Sequence, residues 1–191
     1  VMTPELQAQY PEIRAYVGKG IDNPTAIIRF SLSPQKGLSS MVLSDKKTVF
    51  IEPYSADLSQ YMVFVNSVED GLRADFECET AYAKSEFDIS DEAYIALRNA
   101  DDQTLRTYRL ALACTVEYAQ FHGGTFGQVT AAMNVTMARV NGVFERDLGL
   151  TMVMVPTTTI VFLGPDVTSD PYTNQSGTAL LSQNQPLVII I

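Results

Sequence analysis

Histidine occurs once in the 191 residues and cysteine twice. A catalytic zinc centre normally takes several histidine or carboxylate ligands, so a three-histidine centre is excluded for this chain on its own. The two cysteines, Cys78 and Cys114, are too few for a disulfide framework. They form one bridge, stay free, or find partners outside the chain. Positive charge is also scarce: 13 Lys and Arg stand against 22 Asp and Glu, a net charge of −9, with no local basic cluster. Binding to nucleic acid or to an anionic membrane surface is therefore disfavoured. No apolar run approaches the roughly 18 residues that a membrane helix needs. The longest, "LTMVMV" and "LVIII", are of strand length. The opening "VMTPELQAQYPEIR" has no basic start followed by an apolar stretch, so no signal peptide is expected within it.

Familiar catalytic loops are missing as well. There is no "GxSxG" elbow for a serine nucleophile. "HGGTFG" precedes a helical pattern but lacks the lysine of a P-loop and the spacing of a dinucleotide loop, so its glycines read as a means of turning the chain. His122 reads as a helix-flanking or packing residue.

What is present is a globular composition, 46% hydrophobic and 18% charged, with a change of grammar along the chain. "MTPELQAQY" predicts a short helix capped by Thr3, with Pro4 in its first position and Glu5 at its positive end. "TAIIRFSL", "LSSMVL", "KTVFIE" and "QYMVFV" then follow as short strands with turn material between them. Such spacing predicts an antiparallel meander. "KSEFDISDEAYIALRNADDQ" is acidic; its "SDEAYIALRNA" reads as a helix capped by Ser90 or Asp91, and "DDQT" as exposed linker.

Beyond that linker the pattern is strand, helix, strand. "LRTYRLALAC" alternates, with Tyr108, Leu110, Leu112 and Cys114 on one side. Thr125 with Gln128 makes a capping box, and Phe126, Val129, Met133, Met137, Val140, Phe144 and Leu148 form one apolar stripe. Gly149 ends the helix. "LTMVMV" and "TTTIVFL" are read as two further strands, and "PLVIII" as an edge strand that something must cover. The fold class is α+β, with a β-rich segment 1–103 and an α/β segment 104–191.

Candidate ligands are few. "GPDVTSDPYTNQSG" spaces Asp166, Asp170 and Asn174 four residues apart. Their oxygens suit calcium, though not in EF-hand spacing, and the same residue types are ordinary turn formers. Cys78 in "FECET" offers a thiolate that can ligate zinc, or is simply packed.

From Arg106 to Gln185, the run "RTYRLALACTVEYAQFHGGTFGQVTAAMNVTMARVNGVFERDLGLTMVMV", then "TIVFL", "SDPYTNQSG" and "LLSQNQ", resembles secreted reprolysin-like zinc metallopeptidases of Bacteroidetes-type bacteria. These are metzincins, related to the snake-venom and ADAM proteases. Upstream, "MTPELQAQYPEIRAYVGKGIDNPTAIIRFSLSP" is similar to the end of that family's propeptide. The resemblance implies a latent secreted endopeptidase acting on peptides or proteins. Its antiparallel β-rich prodomain precedes the first strand-helix-strand part of a metzincin-like domain.

It also implies maturation cleavage within Asp101, Asp102, Gln103, Thr104, Leu105 and Arg106, and Cys78 as the counterpart of the propeptide cysteine that caps zinc. The family's zinc motif, H-E-x-x-H-x-x-G-x-x-H, lies downstream of the matching segment. Its histidines bind zinc and its glutamate activates water. No position here matches it, so a C-terminal half would be the partner that completes the site. The alternative is a non-catalytic binding, inhibitory or chaperone-like module.

Overall fold

The computed structural model describes residues 1–45, 47–67, 103–166, 168–174 and 176–188. The expected helix at Ser90 or Asp91, together with Cys78, Asp101 and Asp102, lies outside them. The architecture is mixed α and β. Helix α1 (Pro4–Gln9) begins as expected: the Thr3 hydroxyl accepts the Leu6 N–H at 3.4 Å, and Pro4 occupies the first turn. Five strands follow as an antiparallel meander in sequence order: β1 (Arg14–Lys19), β2 (Ile27–Ser33), β3 (Gly37–Leu43), β4 (Lys47–Pro53) and β5 (Tyr61–Ser67). Strand β1 had no clear sequence signal. "RAYVGK" pairs from Arg14↔Leu32 to Lys19↔Ile27 because β2 offers it an edge.

The second layer is built on strand β6 (Arg106–Leu110), helix α2 (Val116–Phe121), helix α3 (Phe126–Leu148) and strand β7 (Leu150–Met154). Strands β6 and β7 are parallel, in register from Arg106↔Leu150 to Leu110↔Met154, and α3 connects them as the crossover. The Thr125 hydroxyl accepts the Gln128 N–H at 3.3 Å and donates to the Gln128 side-chain oxygen at 2.8 Å. Gly149 closes the helix at φ 62°, a left-handed conformation in which glycine has no steric penalty.

Helix α3 is buried on two sides. Its apolar stripe, including Val129, Met133 and Met137, packs into a core with Leu6, Cys114, Ala119 and Met154. A second stripe of small and amide side chains, Ala131, Asn134, Ala138 and Gly142, is equally buried. It meets the five-stranded sheet. The Asn134 side-chain N–H donates to the Ser31 hydroxyl at 2.8 Å, and a β-carbon at Gly142 would lie 2.8 Å from the Met41 terminal methyl. Two ion pairs flank this stripe, Arg29 with Glu145 and Glu52 with Arg139. The helix is thus the shared centre of both layers.

Strand β7 would otherwise present a bare edge away from β6. The chain's own first residues cover part of it: the Met154 N–H donates to the Val1 carbonyl at 2.7 Å, and the Thr3 N–H donates to the Met154 carbonyl at 2.9 Å. Two residues earlier, the Asn141 side chain acts as a strand. It accepts the Met152 N–H at 2.9 Å and donates to the Met152 carbonyl at 2.7 Å.

Two expectations are corrected. "TTTIVFL" is not a strand: Thr158–Ile160 forms one 3-10 turn, and Val161 makes a lone bridge to Cys114. Its β-branched residues have only Cys114 to pair with, because the chain turns into α2 directly after it, at cap residue Thr115. Helix α2 carried no expectation of its own. "PLVIII" is not an edge strand over its first half, since helix α4 runs Gly177–Val188. Residues 189–191 lie outside the description.

Candidate functional site

A cleft of about 500 Å³ opens between the sheet and the helices, bounded by the β2–β3 turn, the end of β4, and α2 with α3. Its ionisable lining is Lys36, Glu52, Tyr118, His122 and Arg139. Lys36 sits in a turn fixed by two local devices. The Ser33 hydroxyl accepts the Lys36 N–H at 3.1 Å, and Gly37 takes φ +60°, where a β-carbon would lie 2.7 Å from the Tyr61 hydroxyl. His122 is the C-cap of α2, its ring edge-on to Tyr118 at 4.5 Å and to Phe121 at 4.9 Å. The helix-flanking reading of His122 therefore holds. Gly123 and Gly124, at φ +108° and +78°, turn the chain into α3 as their position in "HGGTFG" suggested.

Lys36 Nζ lies 2.9 Å from His122 Nδ1. With Lys36 charged, its N–H donates and Nδ1 accepts, which leaves the ring proton on Nε2. Burial, and then the Lys36 charge, holds the His122 pKa below its ordinary value. Burial also lowers Lys36. Across the cleft Glu52 is engaged by Arg139, whose guanidinium lies 5.6 Å from the Phe50 ring centre. These contacts join residues far apart in the chain, 86 positions in the case of Lys36 and His122, and no local periodicity announces them.

The loop carrying Asp166, Asp170 and Asn174 distributes these residues over separate tasks. Asp166 closes a turn on the Thr168 N–H at 2.9 Å and also accepts the Thr168 hydroxyl. Asp170 reaches back to α2: Oδ2 accepts the Val116 N–H at 2.6 Å while Oδ1 accepts the Tyr172 N–H at 2.8 Å. Asn174 takes a left-handed φ of 53°. The nearby Glu117 carboxyl is held low first by its own backbone N–H and further by Thr115 and Asn174. Replacing Asp170 with alanine is expected to lower stability by about 1–2 kcal/mol, since it leaves the first N–H of α2 without its acceptor. A denaturation midpoint within error of wild type would show that the contact is inconsequential.

Among the described residues no three His, Cys, Asp or Glu side chains converge as metal ligands. The single histidine faces an ammonium group through Nδ1, an unfavourable neighbour for a cation. Cys114 is a free, buried thiol whose pKa is raised by burial, so it resists forming the thiolate that binds metal. The described residues do not fit a zinc centre. Of the expected cleavage region, Gln103, Thr104, Leu105 and Arg106 are described and all are exposed, immediately ahead of or at the start of β6.

No curated protein and no solved structure matches the chain. Residues 104–187, from just before β6 into α4, match the family model described as Metallo-peptidase family M12B Reprolysin-like, and this segment is similar to a reprolysin-like metallopeptidase.

Proposed function

We propose that the chain carries the propeptide and the first part of the protease domain of a secreted, zinc-dependent endopeptidase that acts on peptides or proteins. The match over residues 104–187 is the observation that carries this reading. The geometry is consistent with it in two respects. The sheet of residues 14–67 buries one side of α3, and Val1 to Thr3 sit along β7, so the N-terminal part behaves as a cover on the matching segment. The exposed stretch Gln103–Leu105 precedes β6 and is accessible to a processing protease. Zinc ligands and the general base belong to sequence beyond the matched segment, so no catalytic step is assigned to a residue of this chain.

The test is to express the complete reading frame. The expected result is a precursor cut between Asp101 and Arg106, peptidase activity that appears with the cut, loss of activity with a zinc chelator, and recovery on adding zinc. A reading frame without a zinc-binding motif, or activity indifferent to chelation, would refute the proposal. A second reading, a non-catalytic binding, inhibitory or chaperone-like module, is favoured by the single histidine of the chain taken alone. Intact mass separates the two: one stable species near 21.0 kDa in the native source supports the module, and a heavier precursor supports the peptidase.

A further inference from the structure

We propose that the Lys36–His122 contact is a pH-sensitive latch that fastens the β2–β3 hairpin to the end of helix α2 and loosens when His122 is protonated. The inference does not depend on the peptidase reading. It begins with an unusual pairing: two nitrogen bases stand 2.9 Å apart, and the contact is attractive only while the imidazole is neutral. Protonation removes the acceptor and sets two cations against each other.

Among the described residues nothing nearby compensates. From its own helix His122 is faced by the Tyr118 and Phe121 rings. The hairpin presents Lys36. Strand β4 and helix α3 present Glu52 and Arg139 to the same cleft, but these are committed to each other in an ion pair. The other polar links between sheet and α3, namely Arg29 with Glu145 and Asn134 with Ser31, contain no histidine, the side chain whose ordinary pKa falls between about pH 5 and 8. The latch is therefore the one sheet-to-helix contact among these that titrates in that range.

The direction follows from linkage. Burial and Lys36 depress the His122 pKa below its ordinary value of 6.5, so the loosened hairpin binds the proton more readily than the closed one. The contribution of the contact is complete above 6.5 and is lost as pH falls from there through the depressed value. Because His122 is the only histidine, its ring resonances are unambiguous by NMR.

The experiment is a pH titration of the 191-residue chain followed by NMR, with Lys36→Met as comparison. The expected results are an Nε2–H tautomer at neutral pH, a His122 midpoint below 6.5, and a midpoint raised in the variant. Backbone amides of the hairpin around Lys36 should lose protection several-fold, after correction for intrinsic exchange, as pH falls through that midpoint. In His122→Asn the protection should stay flat over the same range; if this variant fails to fold, the wild-type titration alone decides. A wild-type midpoint at or above 6.5 that ignores Lys36→Met would overturn the proposal, as would hairpin protection equal on both sides of the midpoint.

Discussion

Replacing Asn141 with leucine is expected to destabilise the protein by about 3 kcal/mol, although the new side chain is apolar and the site is fully buried. The asparagine amide satisfies both backbone groups of Met152, at 2.9 and 2.7 Å, on the edge of β7 that β6 does not reach. Leucine leaves that N–H and that carbonyl buried and unpaired, at roughly 1–3 kcal/mol for each group. Asn134 is the control, since it lies on the same helix and is also fully buried. Its amide N–H reaches Ser31 at 2.8 Å and the Arg14 carbonyl only at 3.4 Å, while its own side-chain oxygen has no hydrogen-bond partner. Asn134→Leu removes an unsatisfied acceptor along with the bond, so its cost should be about 1 kcal/mol. Urea denaturation of the two variants decides the matter. Equal losses, or a larger loss at Asn134, would contradict the assigned role of Asn141.

Gly142→Leu should cost about 3 kcal/mol, near the upper end of the usual range for overpacking a tight core. A β-carbon there lies 2.8 Å from the Met41 terminal methyl, 3.2 Å from Arg29 Cγ and 3.4 Å from Leu43 Cδ1. Alanine demands a small displacement of a flexible methionine end. It also gains up to about 1 kcal/mol of helix propensity, so Gly142→Ala should be close to neutral. The larger side chain has nowhere to go without separating α3 from β2 and β3. It should also weaken the Arg29–Glu145 pair, whose arginine stem is one of the three neighbours. Thermal unfolding of both variants provides the measurement. A Gly142→Leu protein as stable as wild type would mean that helix and sheet are not in close contact at this point.

The parts of the fold readable in the amino-acid order are those whose causes are local. Thr3 and Pro4 start α1, Thr125 and Gln128 start α3, and Gly149 ends it, because each acts on backbone groups within five residues of itself. The four strands from Ile27 to Ser67 are legible for a similar reason: short connections leave antiparallel pairing with the neighbour as the simplest outcome. The candidate site was hardly legible at all. His122 was visible as a residue beside a helix, whereas its partner Lys36 belongs to a hairpin 86 positions away.

Tertiary structure alone decided which β-prone segments found partners. "RAYVGK" became a strand beside β2, while the threonine-rich "TTTIVFL", with higher β propensity, reached only Cys114 and settled into a single turn. It also decided that α3 has two buried faces. Hydrophobic periodicity exposes the Val129–Met133–Met137 stripe, but Ala131, Asn134, Ala138 and Gly142 carry almost no hydrophobic signal. What makes that second stripe an interior is close approach and matched hydrogen bonds. Those depend on what the sheet places opposite, and a strand's worth of partners cannot be read from the helix that meets it.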